Sequence, residues 1–435
     1  MRIGSVHIRT RTLMAQFKDK ICGADIHKRF LVATILSRDG FRTQERFETN
    51  PNELLKFRDW IIQNGCSKVA VESTGSYWYP IYAALEGKVE FVLANAYQIK
   101  HIPGKKTDML DSEWIAELCL NNLIKPSRIF PTNYRNLRSL TRGREALIKA
   151  RTQLKNRVHK ILDSCSIKLS SVVSDIFGKS GRLIVEGLLK GESLDEIISE
   201  IPSKRIRNKK DQLIEAVRTS LEPAQIFQIQ SLLQVIDGLS KEIDETSKEI
   251  RIASTTLNED LRIAISMPGM GFASASVILS EIGDYKDFST SDQIASYFGI
   301  VPSVYQSADK LNTGAITKHG SPHLRRMLVE VAHAIVRSKT ESKLKRFFFR
   351  IKTRRGIKIA IVALARKVLC ILHHLLVHRE EYREDGVLRP KWVNKDCNQT
   401  QQEMTLDKMI EVLTKAGYVV ERMTQEEAIS RSLVK

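Results

Sequence analysis

The sequence predicts an α/β domain followed by all-helical parts, a class best written α/β plus α. Three observations carry that reading. Short β-like runs alternate with helical stretches over residues 20–130. Near residue 133 the pattern changes to long apolar seams at 3,4 spacing. From about 261, turn-rich segments separate further amphipathic helices.

The elements follow in order. Residues 1–19 are a basic N-terminal extension without the apolar core of a secretory signal. Residues 20–132 form the first domain. Strands are expected at 20–26 and 30–37 around a tight turn at His27–Arg29, then at 41–47 after Gly40, at 68–73 and at 89–94. Helical periodicity covers 52–64 and 107–121. Hairpin-joined strands followed by helix-separated ones are the order of a mixed sheet built like ribonuclease H or RuvC, with Pro126 and Pro131 marking the exit. Residues 133–260 are expected to form a helical coiled-coil insertion. One seam runs through Leu137, Leu140, Leu147, Leu154, Val158 and Ile161, interrupted by Arg144 and Arg151. Another runs through Ile229, Leu232, Ile236, Leu239, Ile243 and Ile250, with a Gly- and Ser-containing middle between the two. Residues 261–380 form a mostly helical C-terminal domain. Its opening segment, Ser266-Met-Pro-Gly-Met-Gly, has the pattern of a helix–hairpin–helix whose glycine N–H groups could meet a phosphate, or of a plain packing turn. Helices are expected at about 321–338 and 357–377, and residues 381–435 form a polar tail with one short helix near 405–416.

At 435 residues and 42% apolar content the chain is globular and has room for several cores. A net charge of +19 favours polyanionic partners, nucleic acid first. No apolar run is expected to reach the roughly 20 residues of a membrane span, because Gly356–Val377 is interrupted by Lys358, Arg366, Lys367 and two histidines. No membrane partner is therefore expected. Six scattered cysteines without a C-x-x-C pair fit a reducing, cytoplasmic setting.

Chemistry concentrates in two places. Asp25 falls in the first strand, Glu72 closes a later one, and Asp108 and Asp111 open a helix at a spacing that puts both on one face. Four such acids could cage divalent ions, Mg²⁺ above all, and two ions about 4 Å apart can hold both oxygens of a phosphoryl displacement. Glu113 points away from Asp111, and Asp39 sits beside Gly40 in a turn, so both stay outside the cage. The second place is the turn-rich stretch 297–326. It offers Ser307 on a loop, with Lys318, Arg325 and Arg326 available to a phosphate. On composition alone Ser307 reads as an ordinary loop serine.

Residues 125–160 carry eleven Lys/Arg against one acid, Glu145. Arg135, Arg138, Arg142, Arg144, Lys149, Arg151, Lys155 and Arg157 are the candidate nucleic-acid contacts, against a solvated helix face as the plain reading. The cluster Lys204–Lys210 is a second contact or an exposed loop.

The blocks GADIHK, VESTG, KTDMLDSEWIA, MPGMGFASASVILSEIG, YFGIVPSVYQSA and GAITKHGSPHLRRML stand in that order. Over roughly residues 20–340 this closely resembles the DEDD insertion-sequence transposases, the bridge-RNA-guided recombinases with a RuvC-like domain and a C-terminal serine domain. The resemblance implies that Asp25, Glu72, Asp108 and Asp111 bind Mg²⁺ and that Ser307 is the nucleophile. It implies a covalent phosphoserine link to DNA, donor and target DNA as partners, a structured non-coding guide RNA, and a dimer or tetramer that combines the two domains across subunits. Ala308 stands where the family usually has glycine, which bears on the loop geometry. Two other functions compete. A RuvC-like structure-selective endonuclease would use the same acids with water as nucleophile, and a non-catalytic scaffold would use neither acids nor serine.

Overall fold

Sheet hydrogen bonding organises the first of the two units into which the computed structural model divides the chain, residues 1–131 and 132–435. The structure describes residues 20–73, 75–95, 99, 111–307 and 310–384, the side chains of 305–313 excepted. The N-terminal extension, most of the polar tail and the residues around Asp108 lie outside that set.

In the first unit, β1 (Ile21–Ile26) pairs antiparallel with β2 (Phe30–Leu36), and β2 with β3 (Arg42–Glu48). Parallel pairing then adds β4 (Lys68–Glu72) to β1 and β5 (Glu90–Ala94) to β4, giving the order β3-β2-β1-β4-β5. This is the mixed sheet expected from the sequence, in nearly the expected bounds. The central strands β1 and β4 are apolar and buried at Cys22, Ala24, Val69, Ala70 and Val71, because helices cover both faces. Helix α1 (Pro51–Gln63) starts on Asn50, whose side chain accepts the Glu53 N–H, and buries Leu54, Phe57 and Ile61. Helix α2 (Trp78–Leu85) was not expected, since Trp-Tyr-Pro-Ile-Tyr holds few strong helix formers. Burial of Trp78, Ile81 and Leu85 supplies what propensity lacks, and Pro80 is tolerated in the first turn. Helix α3 (Asp111–Leu120) closes the unit.

The second unit begins with α4 (Thr132–Ser164), which packs on α10 (Pro223–Ala253). The pair is antiparallel. Arg144 Nε donates to Ser247 Oγ at 2.7 Å, while Arg151 Nη1 donates to Ser240 Oγ at 3.1 Å, so one helix ascends as the other descends. Between them the sequence predicts only a Gly- and Ser-containing middle. The structure instead places five short helices there: α5 (Leu169–Val172), α6 (Lys179–Lys190), α7 (Leu194–Glu200), α8 (Lys204–Arg207) and α9 (Lys210–Ala216). They share a core that includes Ile167, Ile176, Ile184, Val185, Ile197 and Leu213 with the distal ends of the long helices. A capping box at Ser193 and Glu196 opens α7 and is the local signal that marks it.

At their other ends the long helices enter a different core. Leu137 and Ile250 pack with residues of α11 (Asn258–Ile265), α12 (Phe272–Ile282), α13 (Ser291–Tyr297), α14 (Pro322–Arg337), α15 (Lys343–Arg355) and α16 (Ile357–His378). The line expected between 260 and 261 thus runs through a shared apolar core. Between α11 and α12 the glycine turn packs on α14, and the Gly271 N–H donates to Ser274 Oγ at 2.9 Å rather than standing free. Helix α16 is long and apolar enough to cross a membrane, which corrects the expectation that no segment reached that length. Its Leu364, Val368, Leu369, Leu372 and Leu376 are buried in this core instead. A two-stranded hairpin, β6 (Pro302–Ser307) and β7 (Lys310–Ile316), stands between α13 and α14.

Candidate functional site

Three of the four predicted acids gather at one edge of the mixed sheet. β1 and β4 are parallel neighbours with Ala24 opposite Val71, so Asp25 and Glu72 follow side by side at their C-terminal ends. Open α/β sheets present functional groups at that edge. Asp111 reaches it because α3 lies almost in contact with β1. A Cβ built on Gly23 would stand 2.2 Å from the Ser112 carbonyl oxygen, so only glycine admits the helix at this depth. The buried hydroxyls of Thr34 and Ser112 fix the same helix, 2.7 Å apart.

Burial raises the Asp25 carboxyl above its ordinary pKa. His27, whose Nε2 lies 3.0 Å from Asp25 Oδ2, works against that rise, and the like charges of Asp111 and Glu72 add to it. Asp25 therefore feels both of the other acids. Asp108 lies outside the described residues, and among the described residues no three His, Cys, Asp or Glu side chains stand close enough to hold an ion. The donor chemistry fits a hard divalent cation even so: carboxylate oxygens, with mutual repulsion that an intervening cation would relieve. The two excluded acids are engaged elsewhere. Glu113 pairs with Arg42 at 2.8 Å, and Asp39 accepts from Ser37 and from the Phe41 N–H in its turn.

Ser307 belongs to the second unit. It is the last residue of β6, paired across the hairpin with Lys310, so it sits at a strand end where a loop was expected. The connection is only two residues long, and Ala308 within it lies outside the described residues. The base of this hairpin is strongly determined. Gly299, at φ 63°, lets the chain pass so close that an added Cβ would meet the His319 nitrogen at 2.2 Å. Thr317 N–H donates to Val301 O and Lys318 N–H to Gly299 O. Arg325 Nη1 then ties both ends together, donating to the carbonyls of Phe298 at 3.0 Å, Gly320 at 3.2 Å and His319. Of the cations expected near the serine, Arg325 is a clamp on the hairpin's base, Lys318 is exposed, and Arg326 pairs with Glu145 at 3.2 Å.

The basic stretch of α4 is less open than its charge implies. Arg138 Nε and Arg142 Nε reach the fully buried carboxylate of Glu281 at 3.0 and 2.6 Å. Burial alone would raise that carboxyl, but the two guanidinium groups outweigh it and hold the pKa below its ordinary value. Glu145 collects Lys149 at 2.6 Å, His323 Nδ1 at 2.7 Å and Arg326. Burial again pushes upward, yet these hydrogen bonds bring its carboxyl down to about 2. Arg144 and Arg151 serve the helical seam, Arg135 donates to Thr132 Oγ1 at 2.7 Å, and Lys155 covers the Phe177 ring. Arg157 is exposed. In the second basic cluster Lys209 bonds the Val172 carbonyl and Lys210 pairs with Asp195. Glu281 is the residue that sequence reasoning missed; it lies 139 positions beyond Arg142, where no local pattern points to it.

Comparison with known families falls on these same regions. Residues 22–167 match the DEDD transposase profile of the IS110 type, and residues 261–348 match a transposase profile of the IS116/IS110/IS902 family. A transposase for insertion sequence element IS1111A from Coxiella burnetii is 24% identical, over 74% of this chain and 80% of its own length. A Pseudomonas aeruginosa protein named as a probable family 20 transposase is 27% identical over 75% of this chain and 88% of its own. The transposase for insertion sequence element IS1328 of Yersinia enterocolitica is 22% identical over 61% and 69%. Together with the acids at the strand ends, these matches define a DEDD transposase, an enzyme class that implies a ribonuclease H-like fold and divalent-metal use. The chain belongs to the IS110 family of insertion-sequence transposases.

Proposed function

We propose that the chain is the RNA-guided recombinase of an insertion sequence, cutting and rejoining donor and target DNA through a phosphoserine link at Ser307. The observation that carries most weight is the placement of Glu72 and Asp111 at the same sheet edge as Asp25, close enough for both to act on its carboxyl. With Asp108, these acids would hold Mg²⁺, which when bound would stabilise charge on the phosphoryl oxygens. Ser307 Oγ attacks the scissile phosphorus, and the bond to the 3′ oxygen breaks as the seryl–phosphorus bond forms. The serine loses a proton, the departing oxygen gains one, and the DNA 5′ end stays joined to the protein beside a free 3′-hydroxyl. Attack by another strand's 3′-hydroxyl reverses these steps and frees the serine, so rejoining needs no outside energy source. The clamp of Arg325 on the hairpin's base supports the reading, because a nucleophile must be held to a fraction of an ångström.

Carboxylates and serine belong to different units of the chain, and the complete site is assembled in a dimer or tetramer acting on cytoplasmic DNA. A structured non-coding RNA selects the sequence by base pairing, which suits a surface rich in Lys and Arg. Two measurements test this. Asp25→Asn should lower strand cleavage by about a thousandfold or more at saturating Mg²⁺; undiminished cleavage would remove the carboxylates from the chemistry. RNA that co-purifies with the protein should be dominated by one structured transcript, and random RNA would refute guidance.

A further inference from the structure

We infer that the exposed face of α15, continued into the first turn of α16, docks the phosphate backbone of duplex DNA. The inference deepens the proposed function, and it rests on the reading of the chain as a DNA-rejoining enzyme. Between residues 343 and 358 stand eight Lys/Arg and no Asp or Glu. Lys345 is engaged by Glu341 at 2.9 Å. Arg346, Arg350, Lys352, Arg354, Arg355 and Lys358 are exposed, and among the described residues none of them forms an ion pair. Arg346, Arg350 and Arg354 repeat every fourth residue, steps of about 6 Å along one helix face. Attraction to the helix C-terminus accounts for Arg354 and Arg355. It does not reach Arg346 or Arg350, and like charges four residues apart destabilise the isolated helix. A polyanion removes that cost.

The remaining side chains narrow the partner. Phe347 lies under Arg350 and Lys367 at 5.6 and 5.2 Å, and Phe349 lies under Lys352 at 5.5 Å. Phe347 is half-buried beneath its two cations, Phe348 is buried, and Phe349 alone of the three is exposed, with Lys352 over it, whereas single-strand binding calls for a series of open aromatic faces that stack on successive bases. No Asn or Gln occurs in the segment to read adenine and no Asp or Glu to read cytosine, so the mixed set of side chains that reads a base sequence is missing. What is left is a row of cations suited to backbone contact with a duplex, indifferent to sequence.

The test uses the full chain without divalent metal, a mixed-sequence DNA duplex of about 30 base pairs and a structured RNA hairpin as probes. Replacing Arg346, Arg350, Arg354 and Arg355 together by Gln should weaken duplex binding by about a hundredfold at ~0.1 M salt and reduce the salt slope by about three to four. The same four positions changed to Lys should keep most of the binding. Thermal unfolding should stay within a few degrees of the parent, because every replaced group is exposed. Unchanged duplex binding and slope in the Gln variant would overturn the inference while leaving the DNA reading intact. Loss of hairpin RNA with duplex binding retained would overturn it in favour of RNA. A change of oligomeric state in Ile357→Ser/Ile359→Ser, with DNA binding unaffected by the Gln variant, would overturn it in favour of a contact between copies. A parent protein that binds no duplex at all would sink both readings together.

Discussion

The carboxylate edge and the serine hairpin are held in place by different means. Asp25 and Glu72 are set by main-chain pairing in a five-stranded sheet, and Asp111 by a helix seated on Gly23. The hairpin of Ser307 is a two-stranded piece whose base is fixed by the Arg325 side chain and whose surrounding helices are tied by Glu281 and Glu145. Backbone ladders are insensitive to protonation, whereas these side-chain ties are charged. The second unit is therefore the one that point substitutions and acid should loosen first.

The largest effect should come from Glu281→Gln. Two guanidinium groups would face an uncharged amide in a buried site, at a cost of about 3–5 kcal/mol. Calorimetry should show the second unit melting earlier and the first unit unmoved. A shared loss in both units would break the contrast. Acid comes next. Glu145 is depressed from an ordinary 4.5 to about 2, so its contribution is fully present above pH 4.5 and is lost as pH falls toward 2. The loss amounts to about 3 kcal/mol at most. Unfolding followed across pH 5 to 2 should show a steeper decline in the parent than in Glu145→Gln, and parallel curves would refute it. Arg325→Ala should release the hairpin's base and lower strand exchange by on the order of a hundredfold with little loss of DNA binding. Weaker binding with an unchanged rate would return Arg325 to the role of phosphate contact. Smallest is Gly23→Ala in the first unit, where the helix must shift to admit a methyl group, at about 1–3 kcal/mol. Circular dichroism melts check it, and an unchanged midpoint would mean that α3 does not need the close approach.

Much of the carboxylate edge was legible in the sequence because its determinants are local. Short β-like runs between turns marked all five strands, and Asp25 and Glu72 lie at the C-terminal ends of two of them. Helix α2 escaped because aromatic packing, not propensity, makes it. Four of the helices between α4 and α10 escaped because each is too short to establish a period, although Ser193 and Glu196 announced one of them; α6 is twelve residues long, and its apolar face at Ile184, Val185 and Leu189 was readable but missed. Ser307 stood out only through family resemblance; a serine among turn formers carries no pattern of its own. Charge counting went furthest astray in physical terms. A local window ranks 125–160 as the binding face, yet Glu281 and residues of α14 reach back to that helix from more than a hundred positions away. Among the described residues Arg346, Arg350, Arg354 and Arg355 of α15 pair with no such distant acid, and burial and partners, not abundance, separate a binding face from a structural one.

Mass spectrometry of a protein–DNA complex trapped on a nicked substrate tests the central claim most directly. Peptides from the adduct should carry a nucleotide 5′-phosphate on Ser307, absent in Ser307→Ala, with Asp25→Asn reducing its yield. Cleavage by Ser307→Ala at the parent rate, with products bearing no protein, would contradict the account and leave water as the nucleophile.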